Sequence, residues 1–213
     1  MKLLLQSARF LLCCTALAGP VSAQLQIIRQ GRDSYDQRDP GEKHGQTVAT
    51  GDFNGDGFGD LATGAPGEKP FGSNPGPESG IVVMSYGSAR GIKWTGAWRL
   101  TPRDSPQVPS NDDAFSFGGA LAAADFNNDG YDDLAVGARV KGMVFVYYGS
   151  TSGLGGVSYL FRREDFGTPT DATHLFGGAL AAGSWGATAS MISSSGLQAM
   201  AAASMCSRAA RPA

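Results

Sequence analysis

An all-β fold of short, repeated strands is predicted for this chain, on three observations. The segment Thr47–Pro66 recurs without a gap as Ala120–Arg139. Glycine fills 31 of the 213 positions, about twice the usual share of roughly 7%. Between the glycine-rich turns lie short apolar runs, and no long helical periodicity precedes the last thirty or so residues. Many tight turns joining short strands give sheets, not bundles.

The repeat defines the units. TVATGDFNGDGFGDLATGAP at 47–66 aligns with ALAAADFNNDGYDDLAVGAR at 120–139, and GIVVMSYGSARGI at 80–92 aligns with GMVFVYYGSTSGL at 142–154. The loop within the first copy is longer and carries Pro70, Pro75 and Pro77. A third copy begins at Phe176-Gly177-Gly178-Ala179-Leu180-Ala181-Ala182, matching 117–123, and its pattern dissolves after Gly183. Each unit reads alike. A small-residue strand such as 120–124 enters an aspartate-rich loop. A buried strand leaves it (61–63, 134–136), and an alternating aromatic strand follows (144–148). Gly149-Ser150 and Gly153 mark the next turn. Such units suggest radially stacked sheets, as in a propeller.

The boundaries follow. Residues 1–23 read as a signal peptide: Lys2 and Arg9 precede a short apolar stretch, and Val21-Ser22-Ala23 offers a cleavage site. The stretch is too short for the ~20 residues of a membrane span. Residues 24–43 form a linker or strand, 44–116 the first repeat, 117–175 the second, 176–183 the start of a third and 184–213 an aberrant tail. A secreted, cell-surface or periplasmic location is expected, with no span in the mature chain. Cleavage removes two cations, taking the formal charge from −2 to −4. It also removes Cys13 and Cys14, leaving Cys206 and no internal disulfide. An exported chain without disulfides favours a metal staple. Mild acidity without a basic patch argues against nucleic acid.

The loops carry the chemistry. The first runs Asp52-Phe53-Asn54-Gly55-Asp56-Gly57-Phe58-Gly59-Asp60, the second Asp125-Phe126-Asn127-Asn128-Asp129-Gly130-Tyr131-Asp132-Asp133. Oxygen side chains stand at positions one, three, five and nine: Asp52, Asn54, Asp56 and Asp60, then Asp125, Asn127, Asp129 and Asp133. Glycine holds position six. Position seven, Phe58 or Tyr131, offers a backbone carbonyl. Asp, Asn and Gly also make ordinary turns, but two copies in register favour ligation. With no histidine or thiolate in the loops, zinc and copper are poor candidates. Irregular oxygen coordination suits calcium better than magnesium. Two Ca2+ sites are expected, with affinities on the order of 10⁻⁴ to 10⁻³ M or tighter. An EF-hand is excluded: position twelve is Thr63 or Val136 in place of glutamate, and the flanks are strand-like.

The order Phe-Gly, aspartate loop, Gly-Ala-Pro resembles the FG-GAP repeat of integrin α-chain propellers and many bacterial exported proteins. Phe117-Gly118 and Phe176-Gly177 match its first element, and Gly64-Ala65-Pro66 its last. The resemblance covers roughly 43–183 and implies propeller blades and calcium binding. His44-Gly45 replaces Phe-Gly in the first copy, and Arg139 replaces proline in the second. About two and a half repeats are present, where the family usually closes seven blades.

The tail has a sharper reading as a shifted frame. Reading each codon from the third base of its predecessor forces aspartate at Met191-Ile192, glycine at Met200-Ala201 and valine at Met205-Cys206. Free choice of wobble bases lets 188–198 encode DGFDDLVVGAP, in register with the second copy.

Nothing resembles a catalytic constellation. The two histidines, His44 and His174, sit at or near repeat starts. No nucleophile elbow or phosphate-binding glycine loop is present. Tyr86, Tyr147, Tyr148, Trp94 and Trp98 are expected to pack between blades, or else to form a ligand surface. The function expected is a non-catalytic adhesion or ligand-binding module with a protein or carbohydrate partner. The alternatives are an accessory propeller of an exported hydrolase similar to phospholipase-D-like enzymes, or a truncated inactive product.

Overall fold

The computed structural model describes residues 44–68, 79–93, 98–108, 115–166, 176–184 and 190–194. The signal peptide, the linker, Pro70, Pro75, Pro77, Trp94, His174, Cys206 and most of the tail lie outside them. The described residues form two four-stranded antiparallel sheets and a two-stranded one. The first holds β1 (Thr47–Gly51), β2 (Asp60–Ala65), β3 (Ile81–Ser85) and β4 (Trp98–Leu100). The second holds β5 (Phe117–Ala124), β6 (Asp133–Ala138), β7 (Met143–Tyr147) and β8 (Val157–Arg162). The third pairs β9 (Leu180–Ser184) with β10 (Ser190–Ser194). Strand order in both large sheets follows chain order. These are the up-and-down meanders expected of propeller blades.

Side-chain alternation explains the stacking. On β6, Leu134, Val136 and Ala138 face the first sheet, while Ala135 faces away. On β7, Phe145 and Tyr147 face the first sheet, while Val144 and Val146 face away. One core therefore joins Phe53, Ala62, Val82 and Met84 to Phe117, Leu134, Phe145 and Tyr147. A second joins Ala135, Val144, Val146 and Phe161 to Phe176 and Leu180. The second sheet is thus apolar on both faces, as a middle layer must be. Phe117 packs edge-on to Phe145 with ring centroids 5.1 Å apart.

The Phe-Gly element has a mechanical role. Gly118 takes a positive φ of 82°. Its carbonyl accepts the Thr47 hydroxyl at 2.5 Å and abuts Gly64 so closely that a Cβ there would clash with it. Gly177 meets Gly137 in the same way one blade further on. The Phe-Gly of each repeat thereby docks on the Gly-Ala of the preceding one, and only glycine permits that approach.

Two expectations change. Trp98 does not pack between blades: it starts the short outer edge strand and is 61% exposed. Tyr86, Tyr147 and Tyr148 do pack against the cores. The third hairpin also continues past Gly183, because β10 lies within the tail and pairs with β9. That hairpin encloses 185–189, whereas the first two enclose 52–59 and 125–132. Gly183 pairs with Met191, one residue before Ile192, which is in register with Asp133.

Gly64→Ala is expected to destabilise the fold by about 1–3 kcal/mol or more through overpacking. Gly59→Ala, where a Cβ meets nothing within 4 Å, should stay within about 0.5 kcal/mol. Denaturant melts check both. Tyr147 is fully buried, and its hydroxyl has no hydrogen-bond partner. Burial pushes that phenol's pKa up. Tyr147→Phe should therefore leave the melting midpoint unchanged or raise it, since an unpaired buried hydroxyl costs about 1–3 kcal/mol.

Candidate metal centre

Each loop lies between the first two strands of its sheet, and its ninth residue opens the second strand. That residue is the best-held group in the site. Asp60 is 1% exposed and Asp133 fully buried. Asp60 Oδ2 accepts the Phe53 N–H at 3.0 Å, and its Oδ1 accepts the Gly87 N–H at 2.8 Å. Asp133 repeats this with Phe126 and Gly149, both at 2.8 Å. One carboxylate thus ties the loop's start, its end and the turn after the third strand. Phe53 and Phe126, at position two, are buried and anchor the loops in the two cores.

The outer positions close the loop on itself. Asp52 accepts the amides of Asp56 and Gly57 at 3.1 and 2.9 Å. Asn54 Oδ1 accepts the Asp56 amide at 2.9 Å, and Asp56 Oδ1 accepts that of Phe58 at 2.9 Å. Asp125, Asn127 and Asp129 repeat every bond with Asp129, Gly130 and Tyr131. These are the Asx turns that aspartate and asparagine favour. Gly55 and Asn128, at position four, both adopt positive φ, 70° and 61°. Asparagine is among the few other residues that tolerate it. The two loops are therefore one conformation written twice.

Electrostatics separates the ninth position from the rest. Burial raises the pKa of Asp60, opposed by the Gly87 and Phe53 amides and reinforced by the charges of Asp56 and Asp52. Burial likewise pushes Asp133 up to about 6, against the Gly149 and Phe126 amides and with the charges of Asp129 and Asp125. Like charges directed at a buried carboxylate make a site that a cation relieves.

The sequence expectation is of several oxygens aimed at one centre. Among the described residues no three His, Cys, Asp or Glu side chains converge as a metal-holding group. The outer carboxylates accept hydrogen bonds from nearby amides instead. The donor set still fits a hard cation. All its atoms are oxygens, and a carboxylate has about four lone-pair directions, of which the amides use one or two. Asp52, Asn54, Asp56, Asp60 and the Phe58 carbonyl would hold it in the first loop. Asp125, Asn127, Asp129, Asp133 and the Tyr131 carbonyl would do so in the second. Such an ion would supply the positive charge that each cluster lacks.

Residues 44–83 and 117–157 match the model of the FG-GAP repeat. The chain carries two FG-GAP repeats. Its FG-GAP stretch is 36% identical over 146 residues to phosphatidylinositol-glycan-specific phospholipase D of Mus musculus, covering 64% of this chain and 17% of that protein. The enzyme of the same name from Homo sapiens is 37% identical over 135 residues, 56% of this chain and 15% of that protein. Integrin alpha-8 of Homo sapiens is 35% identical over 119 residues, 52% of this chain and 10% of that protein. The chain therefore spans 17% or less of these relatives' lengths. What it shares with them is the repeat portion. Among the described residues, no helix is long and apolar enough to cross a membrane.

Sequence reading singled out the loop oxygens and missed five residues that hold them in place. The amide donors Gly87 and Gly149 look like plain turn glycines. Phe53 and Phe126 sit between ligand positions and draw no notice. Asp132 differs from its counterpart Gly59, and that difference was the available signal.

A pH test follows. A carboxylate whose folded pKa lies above its unfolded value of about 3.9 stabilises most below that value. The contribution disappears as pH rises through the folded pKa. In chelator, the stability difference between wild type and Asp133→Asn should therefore shift against wild type as pH rises from about 4 to 7, around the Asp133 value of about 6. Urea melts across that range check the sign.

Proposed function

We propose that this chain is an exported, calcium-stabilised FG-GAP module that binds a protein or carbohydrate ligand and performs no catalysis itself. One observation carries the reading. Two loops at corresponding places in two sheets keep the same internal hydrogen bonds, and each aims acidic charge at a buried aspartate. A cation bound there would neutralise the charge and lock the ninth residue that joins loop, strand and turn. The oxygen donor set favours Ca2+ over softer ions. Export rests on the leader-like segment 1–23. Adhesion rests on similarity to the integrin chain, whose shared stretch is this one.

A second reading has its own support. The phospholipase D relatives match more of this chain than the integrin does, 64% in mouse against 52%. In that case the repeats are an accessory module of a larger exported hydrolase.

Calcium at a hundred times its dissociation constant should add about 2.7 kcal/mol per site. For a chain of this length two sites correspond to a rise of at least about 10 °C in the melting midpoint. Scanning calorimetry in calcium and in chelator measures it. Asp56→Ala and Asp129→Ala should each remove about half the rise or more. A chain that stays molten in excess calcium is an inactive product, and an unchanged midpoint removes the metal from the reading.

A further inference from the structure

The two loops touch each other, and the contact centres on one residue. Asp132, at position eight of the second loop, takes hold of both ends of the Asp52 peptide environment. Its Oδ2 accepts the Asp52 N–H at 2.8 Å, and its own N–H donates to the Asp52 carbonyl at 3.1 Å. Asp52 is position one of the first loop. The Ser150 N–H adds a bond to the Phe53 carbonyl at 3.2 Å. The Tyr131 ring lies over Gly55 so closely that a Cβ there would come within 2.5 Å of it.

The neighbours of Asp132 are the seventh and ninth residues of its own loop. Tyr131 contributes a carbonyl there, and Asp133 the buried carboxylate. Whatever fixes those two fixes Asp132, and Asp132 fixes the backbone of Asp52. The sequence makes room for this on one side only. Gly51 precedes the first loop, and a Cβ on it would stand 2.9 Å from the Asp132 Cβ. The second loop has Ala124 at the matching place and the first has Gly59 at position eight. The link therefore runs from the second loop back to the first.

We propose that Asp132 is a positioning residue that couples the two loops, so that an ion held by one raises the affinity of the other. The proposal rests on the calcium reading above. Coupling between sites is reciprocal and is commonly about 5–150-fold in affinity. A short path of two hydrogen bonds between backbone and carboxylate gives it a physical route.

Calorimetric titration of the full chain with CaCl2 tests it through four forms: wild type, Asp56→Ala, Asp129→Ala and their double variant. The overall constant of wild type should exceed the product of the two single-site constants by about fivefold or more. The same cycle in an Asp132→Ala background should show no excess. Gly51→Ala, whose Cβ would press on Asp132 and on the Phe53 ring, should act likewise. Asp132→Asn keeps an acceptor for the Asp52 N–H and should retain the excess. Two independent sites in wild type, or an excess that survives Asp132→Ala, overturns the coupling while leaving the calcium reading intact. No calcium heat in wild type defeats that reading and the coupling together. Hydrogen exchange in chelator reads the contact without metal. The Asp52 amide should exchange at least about tenfold faster in Asp132→Ala, and equal rates would dismiss the contact itself.

Discussion

The buried aspartate that closes each loop is the constraint on which the rest of the structure depends. Asp60 and Asp133 lie beneath the surface, where an unpaired carboxylate would be very costly. Each is kept there by two amides from chain segments on either side of its strand. Hydrogen bonds to a charged group contribute about 1.5–3 kcal/mol each. They also fix geometry: the loop must begin beside the strand it leads into, and the turn after the third strand must return to the same point. The first three strands of a sheet are thus gathered at one end by a single side chain. The other loop oxygens, free of such burial, remain available at the surface.

Stacking between sheets uses a different device. A glycine carbonyl from one repeat sits against a glycine of the preceding repeat, and a phenylalanine beside it fills the gap below. Bare backbone on both sides lets the inner strands approach closely, and Phe117 and Phe176 then seal the two cores. Phe-Gly and Gly-Ala are two halves of one joint, placed in neighbouring repeats. A repeat protein built this way draws its stability from neighbours as much as from each unit. Loop and joint stand at opposite ends of the inner strands, so metal and packing hold different parts of the same blade.

Much of the fold was legible in the residues. Alternation in Met143–Tyr147 gave the two-faced strand, and the duplicated loops gave the number and spacing of sheets. The loop turns were legible because aspartate, asparagine and glycine have narrow uses there. The exposure of Trp98 was not, since a tryptophan on an edge strand looks in sequence like any core aromatic. Nor was the strand Ser190–Ser194, whose residues carry no apolar alternation strong enough to announce it. It pairs because β9 offers backbone groups along its whole length.

By itself the sequence determined the blade and the turn conformation of its loop, because those rest on contacts within one repeat and recur with it. Only the tertiary structure decided which groups meet across repeats. The Asp132 carboxylate reaches Asp52 from a position 80 residues away in the chain, and the Gly118 carbonyl reaches Gly64 from the next sheet. Such pairings depend on how far one twisted sheet is rotated over another, and no local pattern of residues states that angle.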